Sequence, residues 1–250
     1  MKMTPEEAYK IVNSKFPFKG YMEKKSYNEY ITIGKIVQKY LKPGSIILDF
    51  GAGPCDNTAI IQSLGYKCFA ADDLQDSWHK NSEAKEKILK FAASFNIDFA
   101  VLDSFELPYK ENMFDMIMMH DVIEHFHSSP KELINKFNQL LKPQGYLFIS
   151  TPNIISLYKR AKVFMGKTNM CDYEIFYNFP GEWRSHVREY SKQDLIEMAK
   201  LSGFELKEVH GFDTSELIKL PRFLKLIFKI SSKLNSNFYD SILLVARKPK

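Results

Sequence analysis

The feature that most constrains the fold of this chain is a short apolar segment that ends in an acidic residue and a glycine-containing turn. Ile46–Leu48 lead into Asp49-Phe50, and Gly51-Ala52-Gly53 follows, before a predicted helix. An apolar run bounded by turn residues predicts a buried parallel strand, and the glycines allow the backbone to turn sharply beside a ligand. Since open α/β sheets bind ligands at the carboxyl ends of their strands, the segment predicts the floor of a ligand site.

The turn lacks the third glycine of the dinucleotide fingerprint, because Asp56 occupies that position. Backbone amides and the positive end of a helix attract a pyrophosphate, whereas a carboxylate in the turn repels one. The sequence therefore argues against a nicotinamide or flavin dinucleotide and favours a ligand with a cationic or amphoteric group. A dehydrogenase stays the alternative, which tight NAD binding would favour.

Strand-like and helix-like segments alternate along most of the chain, which predicts an α/β fold with a parallel sheet covered on both faces. The predicted strands are Ile46–Phe50, Tyr66–Ala71, Ile97–Leu102, Phe114–Met119, Tyr146–Ser150, Phe204–His210 and Ser241–Ala246. Three helix starts carry capping sequences, at Thr4–Glu7, Ser129–Glu132 and Ser191–Asp194.

At 250 residues the chain is predicted to form a single domain with four parts. Residues 1–44 are expected to be an N-terminal helical cap and residues 45–153 the ligand-binding core. Residues 154–185 are expected to be an insertion, and residues 186–250 the C-terminal part of the sheet. The insertion is rich in Phe and Tyr, and these rings either form a lid that excludes water or cover the edge of the sheet.

Composition and charge place further bounds on function. A net charge of +5 without a Lys/Arg cluster argues against a nucleic-acid partner. Three cysteines without metal-site spacing indicate reduced thiols. The chain shows no signal-peptide core and no apolar run of the ~20 residues that span a bilayer. We expect a cytoplasmic protein.

Seven short segments in sequence order resemble the class I S-adenosylmethionine-dependent methyltransferases, most closely the ubiquinone-biosynthesis O-methyltransferase-like branch (methyltransferase types 11 and 23). The segments are Leu48–Gly53, Ala71-Asp72, Leu102–Ser104, Leu107-Pro108 with Phe114-Asp115, Asp121–His125, Leu141–Gly145 and Ser150–Asn153. The resemblance implies a Rossmann-like, doubly wound, mostly parallel seven-stranded sheet with an antiparallel last strand. Gln144 replaces a usual glycine of the family, which should affect only the turn.

The resemblance also implies which residues bind S-adenosyl-L-methionine. The backbone of Gly51-Ala52-Gly53 should cradle the amino-acid end, with Asp49 near the ammonium group. Asp72 is placed to accept both ribose hydroxyls, since one carboxylate can take two such bonds. Asp73 is the alternative, because one residue of strand register decides which of the two faces the site.

Two further strand ends complete the predicted cofactor site. Asp103, after the third strand, should accept from the adenine amino group, with the Ser104 amide nearby. His120 and Asp121, at the end of the fourth strand, should lie beside the methyl donor.

The catalytic candidates follow the fourth strand. Asp121, Glu124 and His125 stand at i, i+3 and i+4, which clusters them on one turn, and His186 lies downstream. A divalent metal ion held by Asp121, Glu124, His125 and His186 would lower the pKa of an acceptor hydroxyl, as in small-RNA 2′-O-methyltransferases, which this pattern resembles. His125 or His186 acting as a metal-free general base, or a purely structural role, are the alternatives.

A basic and apolar segment at Leu217–Leu234 is predicted to form an amphipathic helix. Its cations form one stripe, at Arg222, Lys225, Lys229 and Lys233. The helix either lies on an anionic membrane surface or packs against the sheet or a second copy of the chain. Peripheral membrane association and a monomer or homodimer are therefore both expected states.

The sequence as a whole predicts O-methylation of a small-molecule, lipid-pathway or glycan acceptor. The alternatives are a nitrogen or carbon acceptor, or a protein that binds the cofactor without turnover. The acceptor, the metal requirement and the choice between Asp72 and Asp73 are not fixed by the sequence.

Overall fold

The computed structural model describes residues 3–24, 27–76, 80–103, 106–213, 226 and 230–250. Within these residues the strands form one seven-stranded sheet in the order β3-β2-β1-β4-β5-β7-β6. The strands are β1 (Ile46–Phe50), β2 (Lys67–Asp72), β3 (Asp98–Val101), β4 (Phe114–His120), β5 (Leu141–Pro152), β6 (Glu205–Phe212) and β7 (Ser241–Arg247).

The strand directions confirm the predicted Rossmann-like fold. β1 pairs in parallel with β2 and β4, β2 with β3, and β4 with β5. β7 lies antiparallel between β5 and β6. The chain order reverses between β1 and β4, and in such sheets the crevice at this reversal is where ligands bind.

Helices cover both faces of the sheet because its central strands are apolar on both faces. The helices are α1 (Pro5–Lys15), α2 (Tyr21–Lys24), α3 (Tyr27–Tyr40), α4 (Asp56–Ser63), α5 (Ser82–Ser94), α6 (Lys131–Leu140), α7 (Leu157–Phe164), α8 (Tyr173–Tyr177) and α9 (Lys192–Leu201). In β4, Met116 and Met118 join the core under α1, α3, α4 and α5, whereas Ile117 and Met119 join the core under α6 and α9. This alternation is the two-residue period of a strand.

Two of the three predicted helix caps are present. Thr4 and Ser191 form capping boxes at the starts of α1 and α9. The predicted cap at Ser129 is wrong, because Pro130 is the N-cap of α6 and offers no side-chain acceptor. The Ser129 hydroxyl instead accepts from the Lys131 amide at 3.3 Å.

Among the strands of the described residues, β1 has the predicted ends, and the other six differ from the sequence prediction at one or both ends. β3 is shorter, and β5 begins at Leu141 rather than Tyr146. The pairing of β5 with β4 shifts register between Phe114 and Met116. Gln144 lies in this stretch with φ of 68°, a left-handed conformation that glycine adopts most readily. The departure from glycine thus falls where the backbone is strained.

The insertion contributes α7 and α8, and several of its large apolar side chains are exposed. Phe164 is 93 % exposed, and Tyr173, Ile175 and Tyr177 are between 61 and 74 % exposed. Most of the predicted basic helix at Leu217–Leu234 lies outside the described residues, although residues 230–234 are helical. Among the described helices, none has the length and apolar character needed to cross a membrane.

Candidate functional site

Two adjacent cavities lie at the carboxyl ends of β1, β2 and β4. The first, here called the acidic cavity, has a volume of about 190 Å³. Its charged lining residues include six carboxylates and one guanidinium: Asp49, Asp56, Asp72, Asp73, Asp76, Asp121 and Arg184. The second, here called the apolar cavity, measures about 260 Å³ and is lined by side chains such as Leu102, Val122 and Phe126. Both cavities include Gly51, Asp72 and Asp73.

The glycine turn between β1 and α4 has the predicted strained backbone. Gly51 has φ of 73°, and a Cβ atom there would lie 2.3 Å from Val122 Cγ2, so only glycine fits. The amides of Gly51 and Ala52 donate to the Ala71 carbonyl, at 2.8 and 3.3 Å. β2 thus takes the donors of these two amides, and the cradling of the cofactor's amino-acid end by the backbone of this turn stays a prediction. The Gly53 amide donates to the Asp72 carboxylate in the cavity wall, at 2.8 Å.

Asp49 lies at the floor of the acidic cavity, where it is 3 % exposed. Thr58, in α4, donates its hydroxyl to Asp49 Oδ2 at 2.6 Å. Burial raises the pKa of Asp49 from 3.8 to about 6, although this hydrogen bond opposes the rise. A carboxylate that loses so much hydration gains correspondingly from a cation placed beside it.

Asp72 and Asp73 both line the two cavities, but their partners differ. Asp72 accepts from the backbone amides of Gly53 and Leu74, at 2.8 and 2.7 Å. Asp73 accepts two hydrogen bonds from Arg184, at 2.8 and 3.1 Å. Arg184 therefore offsets the negative charge of Asp73.

Asp103 lies two residues beyond β3, exposed, on the lining of the apolar cavity. The structure thus brings it to the same edge of the sheet as Asp72, as the sequence predicted. Ser104 lies outside the described residues.

His120, at the end of β4, connects the acidic cavity to the N-terminal helices. Its Nε2 donates to Glu29 Oε1 at 2.7 Å, and its Nδ1 is hydrogen-bonded to the Ser150 hydroxyl. Asp121 Oδ2 lies 3.5 Å from the same Nε2. Glu29 belongs to α3 and is 3 % exposed. The imidazole is therefore fixed on both nitrogens, one of them by a residue that the sequence did not single out.

The next residue of α3 bonds to an aspartate that lines the acidic cavity. Tyr30 donates its hydroxyl to Asp56 Oδ2 at 2.6 Å, and both side chains are buried. Burial, together with the charge of Asp56, raises the pKa of Tyr30, which keeps the phenol protonated as a donor. α3 therefore holds two residues of the cavity lining, His120 and Asp56, through hydrogen bonds with Glu29 and Tyr30.

Glu124, His125 and His186 form a cluster beside the acidic cavity, with one ligand-type atom of each within 4.8 Å of the others. His125 Nδ1 donates to the Arg184 carbonyl at 2.8 Å, and His186 Nδ1 lies 3.0 Å from Glu189 Oε1. The Nε2 atom of each neutral ring is then left with its lone pair. Asp121 is absent from this cluster among the described residues and groups instead with Glu29 and His120.

The electrostatics of the cluster follow from burial and from neighbouring charges. Burial, and then the charge of Asp121, raises the pKa of Glu124 to about 8. Burial lowers the pKa of His125. Burial alone would also lower the pKa of His186, but the hydrogen bond to Glu189 and the charge of Glu124 raise it overall. Glu124 Oε2 accepts from Thr151 at 2.9 Å, while Oε1 makes no hydrogen bond with any described residue.

The end of the insertion is bonded to residues that line the acidic cavity. Arg184 pairs with Asp73 and lies 3.5 Å from Asp76, while its carbonyl accepts from His125. The Trp183 carbonyl accepts from His127 at 2.6 Å. His127 thus also holds the insertion in place.

Sequence reasoning missed several residues that line or hold the site. These are Glu29, Tyr30, Asp56, Thr58, Ser150, Thr151, Arg184 and Glu189. For Asp56, the sequence shows a negative charge where the dinucleotide fingerprint has a glycine, and this charge is the one signal that indicates a role in the site. Ser150 and Thr151 lie in one of the segments that carry the family resemblance, Glu29, Tyr30 and Thr58 are ordinary helix residues, and Arg184 and Glu189 lie outside the helices and strands.

Comparison with known proteins gives a family for this arrangement. The profile of a methyltransferase domain matches residues 25–209. The chain is 28 % identical over 131 residues to an uncharacterised methyltransferase of Schizosaccharomyces pombe, covering 50 % of this chain and 46 % of that protein. It is 25 % identical over 178 residues to the malonyl-[acyl-carrier protein] O-methyltransferase of Marinomonas, covering 68 % of this chain and 58 % of that protein. The matches thus span about half the length of these two relatives.

A solved structure extends the likeness to the fold of nearly the whole chain. The 1,6-didemethyltoxoflavin-N1-methyltransferase of Burkholderia thailandensis, solved with S-adenosylhomocysteine bound, superimposes with a TM-score of 0.55 at 17 % identity. The superposition covers 99 % of this chain and 92 % of that one. At this level of identity the likeness concerns the fold.

Proposed function

Since this chain belongs to the S-adenosylmethionine-dependent methyltransferases, we propose that it transfers the methyl group to an oxygen atom of a small-molecule acceptor. The ubiquinone-biosynthesis branch, and a lipid-pathway or glycan acceptor, remain predictions from the sequence. Similarity to a malonyl-[acyl-carrier protein] O-methyltransferase over 68 % of the chain supports oxygen as the methylated atom.

The observation that carries the proposal is the charge of the acidic cavity. Six carboxylates and one guanidinium line a space of about 190 Å³. S-adenosylmethionine carries a sulfonium and an ammonium group, both cationic, whereas a dinucleotide carries a pyrophosphate. Coulomb attraction in a partly buried site amounts to several kcal/mol per close pair of charges, of the order of 4 kcal/mol at 4 Å. The cavity therefore favours the sulfonium cofactor and disfavours NAD.

We place the cofactor along both cavities. Its amino-acid end lies in the acidic cavity, where Asp49 balances the ammonium group. Asp72 takes the ribose hydroxyls, because Asp73 is already paired with Arg184. The adenine ring fills the apolar cavity, and Asp103 at its rim accepts from the exocyclic amine.

The Glu124–His125–His186 cluster is proposed to activate the acceptor hydroxyl. As the acceptor oxygen forms its bond to the methyl carbon, the carbon–sulfur bond breaks and its electron pair stays on sulfur. The hydroxyl proton leaves to a base, and the products are a methyl ether or ester and S-adenosylhomocysteine. Much of the rate of such a displacement comes from holding the reacting atoms in line. The rings of His125 and His186, which are fixed by hydrogen bonds, help to hold the acceptor in that alignment.

A divalent metal ion is the form of activation that the cluster supports best. Glu124 Oε1 is buried without a hydrogen bond among the described residues, and both histidines donate from Nδ1. Histidines that donate one ring nitrogen to a carbonyl or carboxylate are the usual ligands of protein-bound metals through the other nitrogen. The predicted fourth ligand, Asp121, groups instead with Glu29 and His120. We therefore propose a site of one carboxylate and two imidazoles.

Calorimetric titration with S-adenosylmethionine and with NAD tests the cofactor assignment directly. We expect micromolar binding of the former and none of the latter, and the reverse result would refute the proposal. Methyl transfer from labelled cofactor to phenols, quinols, sugars and amines then separates oxygen from nitrogen acceptors. Binding of cofactor without transfer to any acceptor would favour a protein that has lost turnover.

The metal proposal has its own test. Manganese(II) added to chelator-treated protein should give a bound-ion signal in electron paramagnetic resonance that Glu124→Gln and His186→Ala abolish. Glu182→Gln, a change of an exposed carboxylate outside the cluster, should leave the signal intact. Absence of bound manganese in the unmodified protein would leave His125 or His186 as a metal-free base.

A further inference from the structure

A third cavity, here called the outer cavity, lies against the same pair of histidines on another side. Its volume is about 540 Å³, and His186 is one of its lining residues. The His186 ring meets the His125 ring edge to face, with centroids 5.1 Å apart, and His125 lines the acidic cavity. The acidic cavity and the outer cavity therefore adjoin at this pair of rings. Pockets for small ligands measure roughly 300–1,000 Å³, so the outer cavity is of that class.

The charge of the outer cavity is opposite in sign to that of the acidic cavity. Its formally charged lining residues are Lys159, Lys162, Arg188, Glu189 and Asp194. Lys159, which is 4 % exposed, donates to Glu189 at 2.5 Å, and Arg188 lies 3.8 Å from Asp194. Lys162 is the remaining cation of the lining, and none of the described carboxylates forms an ion pair with it. A surplus of positive charge thus remains on the outer cavity.

Apolar and aromatic groups form the rest of the outer cavity. Tyr158 carries the Lys162 ammonium over its ring, 5.8 Å from the centroid. Ile154, Met170 and Val187 add apolar surface to the lining. A ligand that suits these walls combines an apolar or aromatic body with one anionic group.

We propose that the outer cavity binds the methyl acceptor and that this acceptor carries a carboxylate or phosphate group held by Lys162. The inference rests on the proposed function and adds the substrate class to it. Opposite charges on the two cavities sort the two substrates: the acidic cavity holds the cationic sulfonium, the outer cavity holds the anionic group of the acceptor, and the acceptor hydroxyl meets the methyl group where the two cavities adjoin. Lys162 is a specificity residue in this arrangement, because it contacts a group remote from the reacting oxygen.

A cysteine side chain can report on ligand binding in the outer cavity. Cys171 lines this cavity and is exposed, whereas Cys55 and Cys68 are buried. A neutral thiol reagent, 4,4′-dithiodipyridine, should therefore react with Cys171 first, and a ligand in the cavity should slow the reaction. The reaction needs no knowledge of the natural acceptor.

The experiment compares two probes of equal size, 4-hydroxybenzoate and its neutral amide, 4-hydroxybenzamide. The protein is saturated with S-adenosylhomocysteine, and the rate of Cys171 modification is followed against probe concentration. We expect saturable protection by 4-hydroxybenzoate at about tenfold lower concentration than by the amide, the usual effect of one charge-assisted hydrogen bond. Lys162→Gln should abolish this difference. Lys167→Gln, which removes an exposed lysine of the same insertion that does not line the cavity, should preserve it.

Three results would overturn the proposal. They are equal protection by the two probes, an unchanged preference in Lys162→Gln, and no protection by either probe at 20 mM, a concentration of about twenty times the millimolar affinity of a small fragment. Binding of S-adenosylhomocysteine is measured separately by calorimetry on the same samples. Loss of that binding in the unmodified protein would refute the methyltransferase site itself, whereas intact binding without protection refutes only the acceptor cavity.

Discussion

Replacing Asp49 by Asn should make the ligand-free protein more stable while it destroys the cofactor site. Burial raises the pKa of Asp49 from 3.8 to about 6. Above pH 6 the folded protein therefore holds an ionised carboxylate at a cost of about 2 pKa units, or about 3 kcal/mol. Asn has the same shape and still accepts from the Thr58 hydroxyl, but its amide loses some hydration on burial. We expect a net gain of about 1–3 kcal/mol in the free energy of unfolding at pH 8.

The pH dependence makes this prediction specific, and its sign is opposite to that of a salt-bridged carboxylate. Because the folded pKa is the higher one, the folded state binds more protons between about pH 4 and pH 6, and stability falls as the pH rises through that window. The loss of folding free energy caused by the Asp49 carboxyl group is then about 3 kcal/mol at pH 8 and about 1 kcal/mol at pH 4.5. The advantage of Asp49→Asn should accordingly be about 2 kcal/mol larger at pH 8.

Urea denaturation followed by circular dichroism at the two pH values measures the difference. Asp76→Asn is the matched control, since Asp76 lines the same cavity with its side chain 54 % exposed, and it should shift stability by less than about 0.5 kcal/mol at either pH. In calorimetry, Asp49→Asn should weaken S-adenosylmethionine binding by roughly 30- to 100-fold. An advantage of Asp49→Asn that is equal at both pH values would refute the reasoning, as would an unchanged cofactor affinity.

Three further perturbations follow from the same contacts. Gly51→Ala should destabilise the protein by about 1–3 kcal/mol in urea denaturation, because its Cβ would meet Val122 at 2.3 Å; a neutral effect would show that the turn can relax. Glu29→Gln should shift the imidazole resonances of His120 in NMR spectra and weaken cofactor binding, whereas the exposed change Glu83→Gln should do neither; unaltered resonances would contradict the contact. Arg184→Ala should speed dissociation of S-adenosylhomocysteine by about 3- to 10-fold in stopped-flow measurements, and an unchanged rate would mean that the insertion does not retain the cofactor.

The parts of the fold that the sequence predicted are those with a local cause. The strand Ile46–Phe50 and its turn are encoded by apolar residues and glycines that stand next to each other. The convergence of Asp49, Asp72 and Asp103 follows because parallel strands end at one edge of a sheet. Knowing the strand order was enough to place these three residues.

The parts that the sequence could not predict depend on contacts between distant segments. Glu29 bonds to a residue 91 positions away, and Arg184 to one 111 positions away. Around Glu29 the sequence shows only an amphipathic helix, and nothing in it specifies which helix face meets the end of β4. For the same reason the sequence does not show that the amides of Gly51 and Ala52 donate to a neighbouring strand.

Glu29 and Tyr30 are consecutive residues, yet each bonds to a different side chain of the acidic cavity. Successive side chains of a helix diverge by about 100°, so α3 must be seated within a narrow range of rotation and height for both bonds to form. A fragment that starts at Ile46 would keep the whole sheet and all the aspartates predicted for the cofactor. It would nevertheless remove the Glu29 carboxylate from His120 and the Tyr30 phenol from Asp56, and the smallest fragment that keeps these contacts therefore includes α3.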